Sequence, residues 1–163
     1  PFADHPLVVI APPSHPLAAA RRIPLATLAG QTFLVREQGS GTRSSMERFF
    51  AERGFVPKVG NVMSSNETIK QAVMADMGLA FISRHTIGLE LQTARLVELD
   101  IVGLPLMRRW YVVHRAGRFM SRATTAFVDF VVESAPGLLA ELHPPAAPAK
   151  RGASRSRSRA ARR

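Results

Sequence analysis

The stretch that decides the fold is FLVREQGSGTR, residues 33–43. Its apolar start predicts a buried strand, and residues 44–50 after it predict a helix. A strand, a glycine turn and a helix start direct backbone N–H groups and the positive end of the helix dipole at one place, which favours an anion. Gly39 and Gly41 allow positive φ and close approach of a ligand. Arg43 can bind a phosphate or carboxylate through two hydrogen bonds.

A second interpretation of this stretch stays open. Ser44 and Glu47 have the spacing of a capping box, which satisfies the first N–H groups of a helix without any ligand. Two nucleotide-binding motifs are excluded. The Walker pattern needs a lysine followed by serine or threonine, but here Thr42 is followed by Arg43. The dinucleotide fingerprint needs a third glycine at position 44, where this sequence has Ser44.

A similar unit follows in the chain. Residues 59–63 predict a strand, residues 64–68 a polar turn, and apolar periodicity from Ile69 to Met77 a helix that Gly78 ends. Ser64 and Glu67 also have capping-box spacing. Residues 79–82 predict a buried strand, followed by a turn at residues 83–86. Because parallel strands present their carboxyl ends at one sheet edge, we expect these turns to gather there.

The remaining elements are predicted from shorter patterns. Strands are expected at residues 7–10, 32–35, 96–99 and 109–114, the last of them antiparallel to its neighbours. Ser121 is expected to cap a helix with Phe127 and Phe130 on its apolar face, and Pro136-Gly137 is expected to break that helix. His85 is interpreted as a capping or surface residue.

Composition limits the function classes. The 163 residues suffice for one domain, and the absence of cysteine excludes disulfides and thiolate metal sites. The five histidines are scattered without a metalloprotease or nucleophile-elbow motif, so we do not expect an enzyme or a bound metal. No apolar run approaches about 20 residues, so no membrane span is expected.

Most of the positive charge lies at the C-terminal end. The formal net charge is +10, and seven of the cations lie after position 149, where there is no acid. Residues 144–163 are rich in Ala, Pro, Ser and Arg and are predicted to be a disordered basic tail. Such a tail is either a solvated segment without a role or one that contacts nucleic acid without sequence specificity.

Several segments resemble the effector domain of LysR-type transcriptional regulators, over about residues 5–134. They are Leu7 to Pro13 with His15-Pro16-Leu17, Glu67 to Ser83, Trp110 to Arg115, and the helix after Ser121. The resemblance is greatest to regulators of the Calvin-cycle (RuBisCO) operon. There the stretches FLVRE-GSGTR (residues 33–37 and 39–43) and SNETIKQAVM (residues 65–74) are characteristic.

This resemblance implies an α/β, type II periplasmic-binding-protein-like fold. The chain would comprise the second lobe (residues 5–117), the C-terminal helix of the first lobe (residues 118–143) and the tail. A small anionic effector, such as a phosphorylated sugar or acid or NADPH, would bind in the cleft between lobes without further cofactor. The implied effector-binding residues are Ser40, Gly41, Thr42, Arg43, Ser64, Ser65, Asn66, Thr68, Arg84 and His85.

The resemblance also implies partners. A regulator of this kind is expected to be cytoplasmic and to form a homodimer or homotetramer. It is expected to reach operator DNA only through an N-terminal helix-turn-helix, which is absent from this sequence. A periplasmic-type solute-binding protein for a small anion has the same fold and is the alternative function.

Overall fold

The computed structural model describes residues 1–117 and 119–142. Within them the strands are β1 (Ala3–Ala11), β2 (Thr32–Arg36), β3 (Lys58–Met63), β4 (Leu79–Ser83), β5 (Val97–Glu98) and β6 (Leu106–Trp110). The α-helices are α1 (Gly41–Ala51), α2 (Asn66–Met74), α3 (Gly88–Gln92) and α4 (Arg122–Leu142). Two short 3-10 helices lie at Leu25–Leu28 and Arg84–Thr86.

The strands form one mixed sheet in the order β3-β2-β4-β1. β2 runs parallel to both β3 and β4, whereas β1 is antiparallel to β4. The two ends of β1 have different neighbours on its other side. Its start pairs with β6, from Ala3↔Trp110 to Leu7↔Leu106, and its end pairs with β5. The predicted antiparallel strand near Trp110 is therefore present, although it begins and ends earlier than expected.

Helices cover both faces of the sheet, because the strands are apolar on both faces. α1 packs on one face, where Phe49 and Phe50 are each 1% exposed, as the sequence predicted. α2 and the start of α3 cover the other face, with Ile69, Val73 and Ile87 fully buried. The two cores hold the ends of β2, β3 and β4 in fixed relative positions.

Both predicted capping boxes are wrong. α1 begins at Gly41 after the N-cap Ser40, whose carbonyl accepts from Ser44 N at 3.0 Å, so Ser44 already lies inside the helix. α2 is capped by Ser65, whose hydroxyl accepts from Glu67 N at 3.2 Å. In each case the helix starts at a different residue from the one that the spacing selected.

The break expected at Pro136-Gly137 is also wrong, because α4 continues through Pro136 to Leu142. Its start agrees with expectation, since Ser121 Oγ accepts from Thr124 N at 3.1 Å. Beyond the proline, Leu139 and Ala140 approach the start of β1 around a cavity of about 250 Å³. Packing against β1 favours a helical conformation beyond Pro136, although the proline lacks a backbone N–H donor.

The apolar side of α4 is largely open to solvent. Phe127 is 66% and Phe130 57% exposed. By length and composition alone, the segment Arg122–Glu141 is long and apolar enough to cross a membrane, although no such segment was expected. A single helix of this kind is weak evidence for a membrane span. The predicted basic tail lies outside the described residues.

Candidate functional site

Three turns meet at one edge of the sheet, as predicted. The first turn (residues 36–43) follows β2, the second turn (residues 64–68) follows β3, and the third turn (residues 83–86) follows β4. Because these strands are parallel, their carboxyl ends share an edge, and Arg36 pairs with Met63 in the register. A backbone hydrogen bond of 3.2 Å from Glu37 N to Met63 O joins the first two turns directly. All ten predicted site residues belong to these turns.

The first turn exposes the start of an eleven-residue helix. Gly39 has φ +86° and turns the chain, and Ser40 caps α1 without a side-chain hydrogen bond. The first N–H groups of a helix have no acceptor within the helix, so those of Gly41 to Arg43 are available to a ligand. Gly41 itself has no positive φ, contrary to expectation, and an added Cβ would meet only Arg108 Nη1, at 3.6 Å.

Two guanidinium groups flank this helix start. Arg43 donates from Nε to Glu47 Oε1 at 2.8 Å and from Nη1 to the Arg36 carbonyl at 3.1 Å, which leaves its side chain 16% exposed. Arg108, on β6, donates from Nη1 to Gly41 O at 3.0 Å and to Ser45 Oγ at 2.8 Å. Among the described residues Arg108 has no carboxylate partner, so its charge is less compensated than that of Arg43.

Sequence reasoning did not identify Arg108. No local pattern distinguishes it from Arg109 beside it, because its position over α1 depends on the pairing of β6 with β1. The alternation of a strand would have separated the two arginines onto opposite faces, but only the sheet order tells which face meets α1.

The second turn is tied to the first by a side-chain contact. Arg36 Nη1 donates to Asn66 Oδ1 at 2.7 Å, and its Nε and Nη2 donate to the two carboxylate oxygens of Glu37 at 2.8 and 2.9 Å. Ser64 and Thr68 are exposed, and Ser65 caps α2. The structure thus brings Asn66 against the first turn and leaves two hydroxyls facing solvent.

The third turn contributes less than predicted. Arg84 Nε donates to Glu98 Oε1 at 2.5 Å, so its guanidinium is paired with β5 and not with the other turns. His85 is partly buried, and its Nε2–H donates to the Asp4 carbonyl at 2.8 Å. His85 therefore packs beside the start of β1.

His85 belongs to a cluster of rings at the same edge. Its ring centroid lies 5.0 Å from that of Trp110, and His5 stacks on Trp110 at 4.6 Å. Burial comes first, and the charge of Arg108 and the electrostatic effect of the neighbouring His85 add to it, so that the pKa of His5 falls from 6.5 to about 4. His5 is therefore neutral near pH 7 and adds no positive charge to that of Arg108.

Comparison with known proteins agrees with this architecture. Residues 1–136 match the LysR substrate binding domain family. The chain is 56% identical over 134 residues to the RuBisCO operon transcriptional regulator of Allochromatium vinosum, covering 82% of this chain and 44% of that protein. It is 48% identical to the HTH-type transcriptional regulator CbbR of Sinorhizobium medicae (strain WSM419), covering 82% of this chain and 43% of the relative. The chain thus spans less than half the length of these relatives, which are named as transcriptional regulators and not as enzymes.

Solved structures support the same assignment. The regulatory domain of Synechocystis PCC6803 CcmR, in complex with 2-PG, superposes with a TM-score of 0.78 at 42% identity, covering 81% of this chain and 64% of that one. The effector binding domain of QuiR, in complex with shikimate, superposes with a TM-score of 0.71 at 26% identity, covering 81% and 62% of the two chains. The expected type II periplasmic-binding-protein-like fold is confirmed, and the chain belongs to the LysR substrate-binding domain family.

Proposed function

We propose that this chain is the effector-sensing part of a LysR-type regulator of carbon-fixation genes. In this proposal the sheet edge formed by the three turns binds a small anionic metabolite, such as a phosphorylated sugar or acid or NADPH. The observation that carries the proposal is the open start of α1, with the guanidinium groups of Arg43 and Arg108 beside it. Helix N–H groups and guanidinium groups both favour anions.

The comparisons support the regulatory context. The Allochromatium vinosum relative is named as a transcriptional regulator of the RuBisCO operon, and the CcmR regulatory domain was solved in complex with 2-PG. We propose that the complete protein is cytoplasmic, forms a homo-oligomer, and contacts operator DNA through a segment outside this chain. Relatives named as transcriptional regulators favour this proposal over transport of a solute.

Titration of the full-length protein tests the proposal. Ribulose bisphosphate, phosphoenolpyruvate and NADPH are added separately in a calorimeter, and operator binding is measured with each ligand by gel shift. At least one of them should release or absorb heat and change the affinity for the operator. If all three are silent in both measurements, the proposed anionic effector is wrong.

A further inference from the structure

The side chain of Arg36, at the end of β2, forms a hydrogen bond with Asn66 in the second turn. Its guanidinium is held from two sides, by both carboxylate oxygens of Glu37 at 2.8 and 2.9 Å and by Asn66 Oδ1 at 2.7 Å. Its side chain is 19% exposed. A planar group with three such contacts has little freedom to rotate, so its position relative to the second turn is well defined.

This contact decides which way the Asn66 amide faces. An arginine side chain can only donate hydrogen bonds, so it must face the oxygen of the carboxamide and not the nitrogen. The Asn66 Nδ2 group is consequently turned away from Arg36. In the described part of the chain no hydrogen bond uses Nδ2. Asn66 is partly exposed at the start of α2, so both N–H bonds of its amide are free to meet a ligand.

The charge of Arg36 is balanced locally. The hydrogen bond from Arg36 lowers the pKa of Glu37, and the hydrogen bond to Glu37 raises the pKa of Arg36, so both stay ionised at neutral pH. A neutralised pair adds little field at the sheet edge compared with Arg108. While Glu37 stays paired, Arg36 therefore acts on a ligand chiefly through the orientation of Asn66.

We propose that Arg36 is a positioning residue that holds the Asn66 amide with its two N–H donors toward the effector. This inference rests on the proposed function and makes it more specific. The Asn66 side chain then offers only donors to the effector, which suits phosphate or carboxylate oxygens and disfavours ligand groups that must donate to it. Without Arg36 the amide is free to turn over, and half of its orientations present an acceptor oxygen to the anion.

A double-mutant cycle tests the inference in the full-length protein. Arg36→Met, Asn66→Ala and the double variant are titrated with inorganic phosphate, ribulose bisphosphate and phosphoenolpyruvate. Asn66→Ala loses hydrogen bonds to a charged group and should bind about tenfold or more weakly. Arg36→Met loses only the fixed orientation of the amide and should bind more weakly than wild type but less weakly than Asn66→Ala. The double variant should bind no more weakly than Asn66→Ala, because without the amide Arg36 has nothing to orient.

Two further variants separate positioning from a general structural role. Arg36→Lys keeps a donor for Asn66 Oδ1 and should recover part of the affinity. Arg48→Met changes an arginine on the exposed side of α1, 68% exposed, and should bind like wild type. If Arg36→Met keeps wild-type affinity while Asn66→Ala loses it, or if the two effects add, Arg36 does not act through Asn66.

A measurement without ligand tests the orientation independently. In the ¹⁵N–¹H spectrum, the Asn66 side-chain amide is assigned by its disappearance in Asn66→Ala. The chemical shifts of its nitrogen and two protons should be the same in wild type and in Arg48→Met, and should move toward those of a freely rotating asparagine side chain in Arg36→Met. An unchanged amide signal in Arg36→Met overturns the inference. If wild type binds none of the three anions, the proposed function fails, and this spectrum alone decides the role of Arg36.

Discussion

Gly39 and Gly41 are two positions apart, but only Gly39 has a backbone conformation that favours glycine. Gly39 has φ +86°, a conformation that costs a residue with a Cβ about 1–2 kcal/mol. Gly41 has no positive φ, and an added Cβ would make only an ordinary contact with Arg108 Nη1, at 3.6 Å. Gly39→Ala should therefore lower the free energy of unfolding by about 1–2 kcal/mol in urea titrations. Gly41→Ala should leave it within about 0.5 kcal/mol of wild type. Equal losses for the two variants would contradict this assignment.

Arg43 and Arg108 differ in how much of their charge is available to an effector. Arg43 pairs with Glu47, but the described contacts of Arg108 are to a carbonyl and a hydroxyl. If the proposed site is correct, Arg108→Gln should weaken anion binding by about 1.5–3 kcal/mol. Arg43→Gln should weaken it less. Calorimetric titration of both variants measures the two losses, and a larger loss for Arg43→Gln reverses the order we infer.

His5 makes stability depend on pH. Burial, Arg108 and His85 lower its folded-state pKa to about 4, below the ordinary value of 6.5. Between these pH values the unfolded chain binds a proton that the folded chain does not, so the free energy of unfolding falls as pH drops. His5→Gln should have a shallower decline than wild type over this range, measured by urea unfolding at several pH values. His114→Gln, which changes an exposed imidazole, is the control and should decline like wild type.

One buried ion pair joins helices α2 and α3. Lys70 Nζ lies 2.9 Å from Glu90 Oε1 and 2.7 Å from Glu67 Oε2, and the side chains of Lys70 and Glu90 are 10% and 9% exposed. Burial alone would lower the pKa of Lys70, but the hydrogen bonds to Glu67 and Glu90 outweigh it and raise the pKa. Lys70 therefore stays protonated at neutral pH, and its hydrogen bond to Glu90 holds the start of α3 against α2.

Removal of one partner from this pair should be more harmful than removal of both. Lys70→Met leaves a buried carboxylate, which is expected to lower the free energy of unfolding by about 3–5 kcal/mol. The double variant Lys70→Met with Glu90→Leu should recover most of that loss, because no charge then remains buried. Urea unfolding of the single and double variants measures the difference. Equal stabilities would mean that Glu90 is accommodated without Lys70.

The whole molecule has an apolar helix that its own sheet does not cover. Phe127 and Phe130 on α4 are both more than half exposed, and burial of such a ring contributes about 1.5–3 kcal/mol. The isolated 163-residue chain should therefore self-associate as its concentration rises, and Phe127→Ser with Phe130→Ser should reduce the association. Sedimentation velocity over a concentration series measures both. A monomer at all concentrations in the unchanged chain would contradict the prediction.

Much of the architecture was predictable from local patterns. The units β2–α1 and β3–α2 were recognised from apolar runs, glycines and periodicity, and so were their shared edge and the burial of Phe49 and Phe50. Helix starts were predicted less well. Ser44 and Ser64 have good capping chemistry, but Ser40, four positions before Ser44, caps α1, and Ser65, the residue after Ser64, caps α2, because the sheet register sets where the chain leaves the strand.

The binding chemistry was predictable only in outline. Strands, turns and helices can be recognised from the sequence because their apolar spacing and turn residues lie within a few positions of one another. The contacts that orient the candidate site join residues far apart, with 30 positions between Arg36 and Asn66 and 67 between Arg108 and Gly41. Arg36 meets Asn66 only after β2 has paired with β3, and Arg108 meets Gly41 only after β6 has paired with β1 and α1 has packed on the sheet. These hydrogen bonds therefore depend on the folded sheet and not on any local pattern.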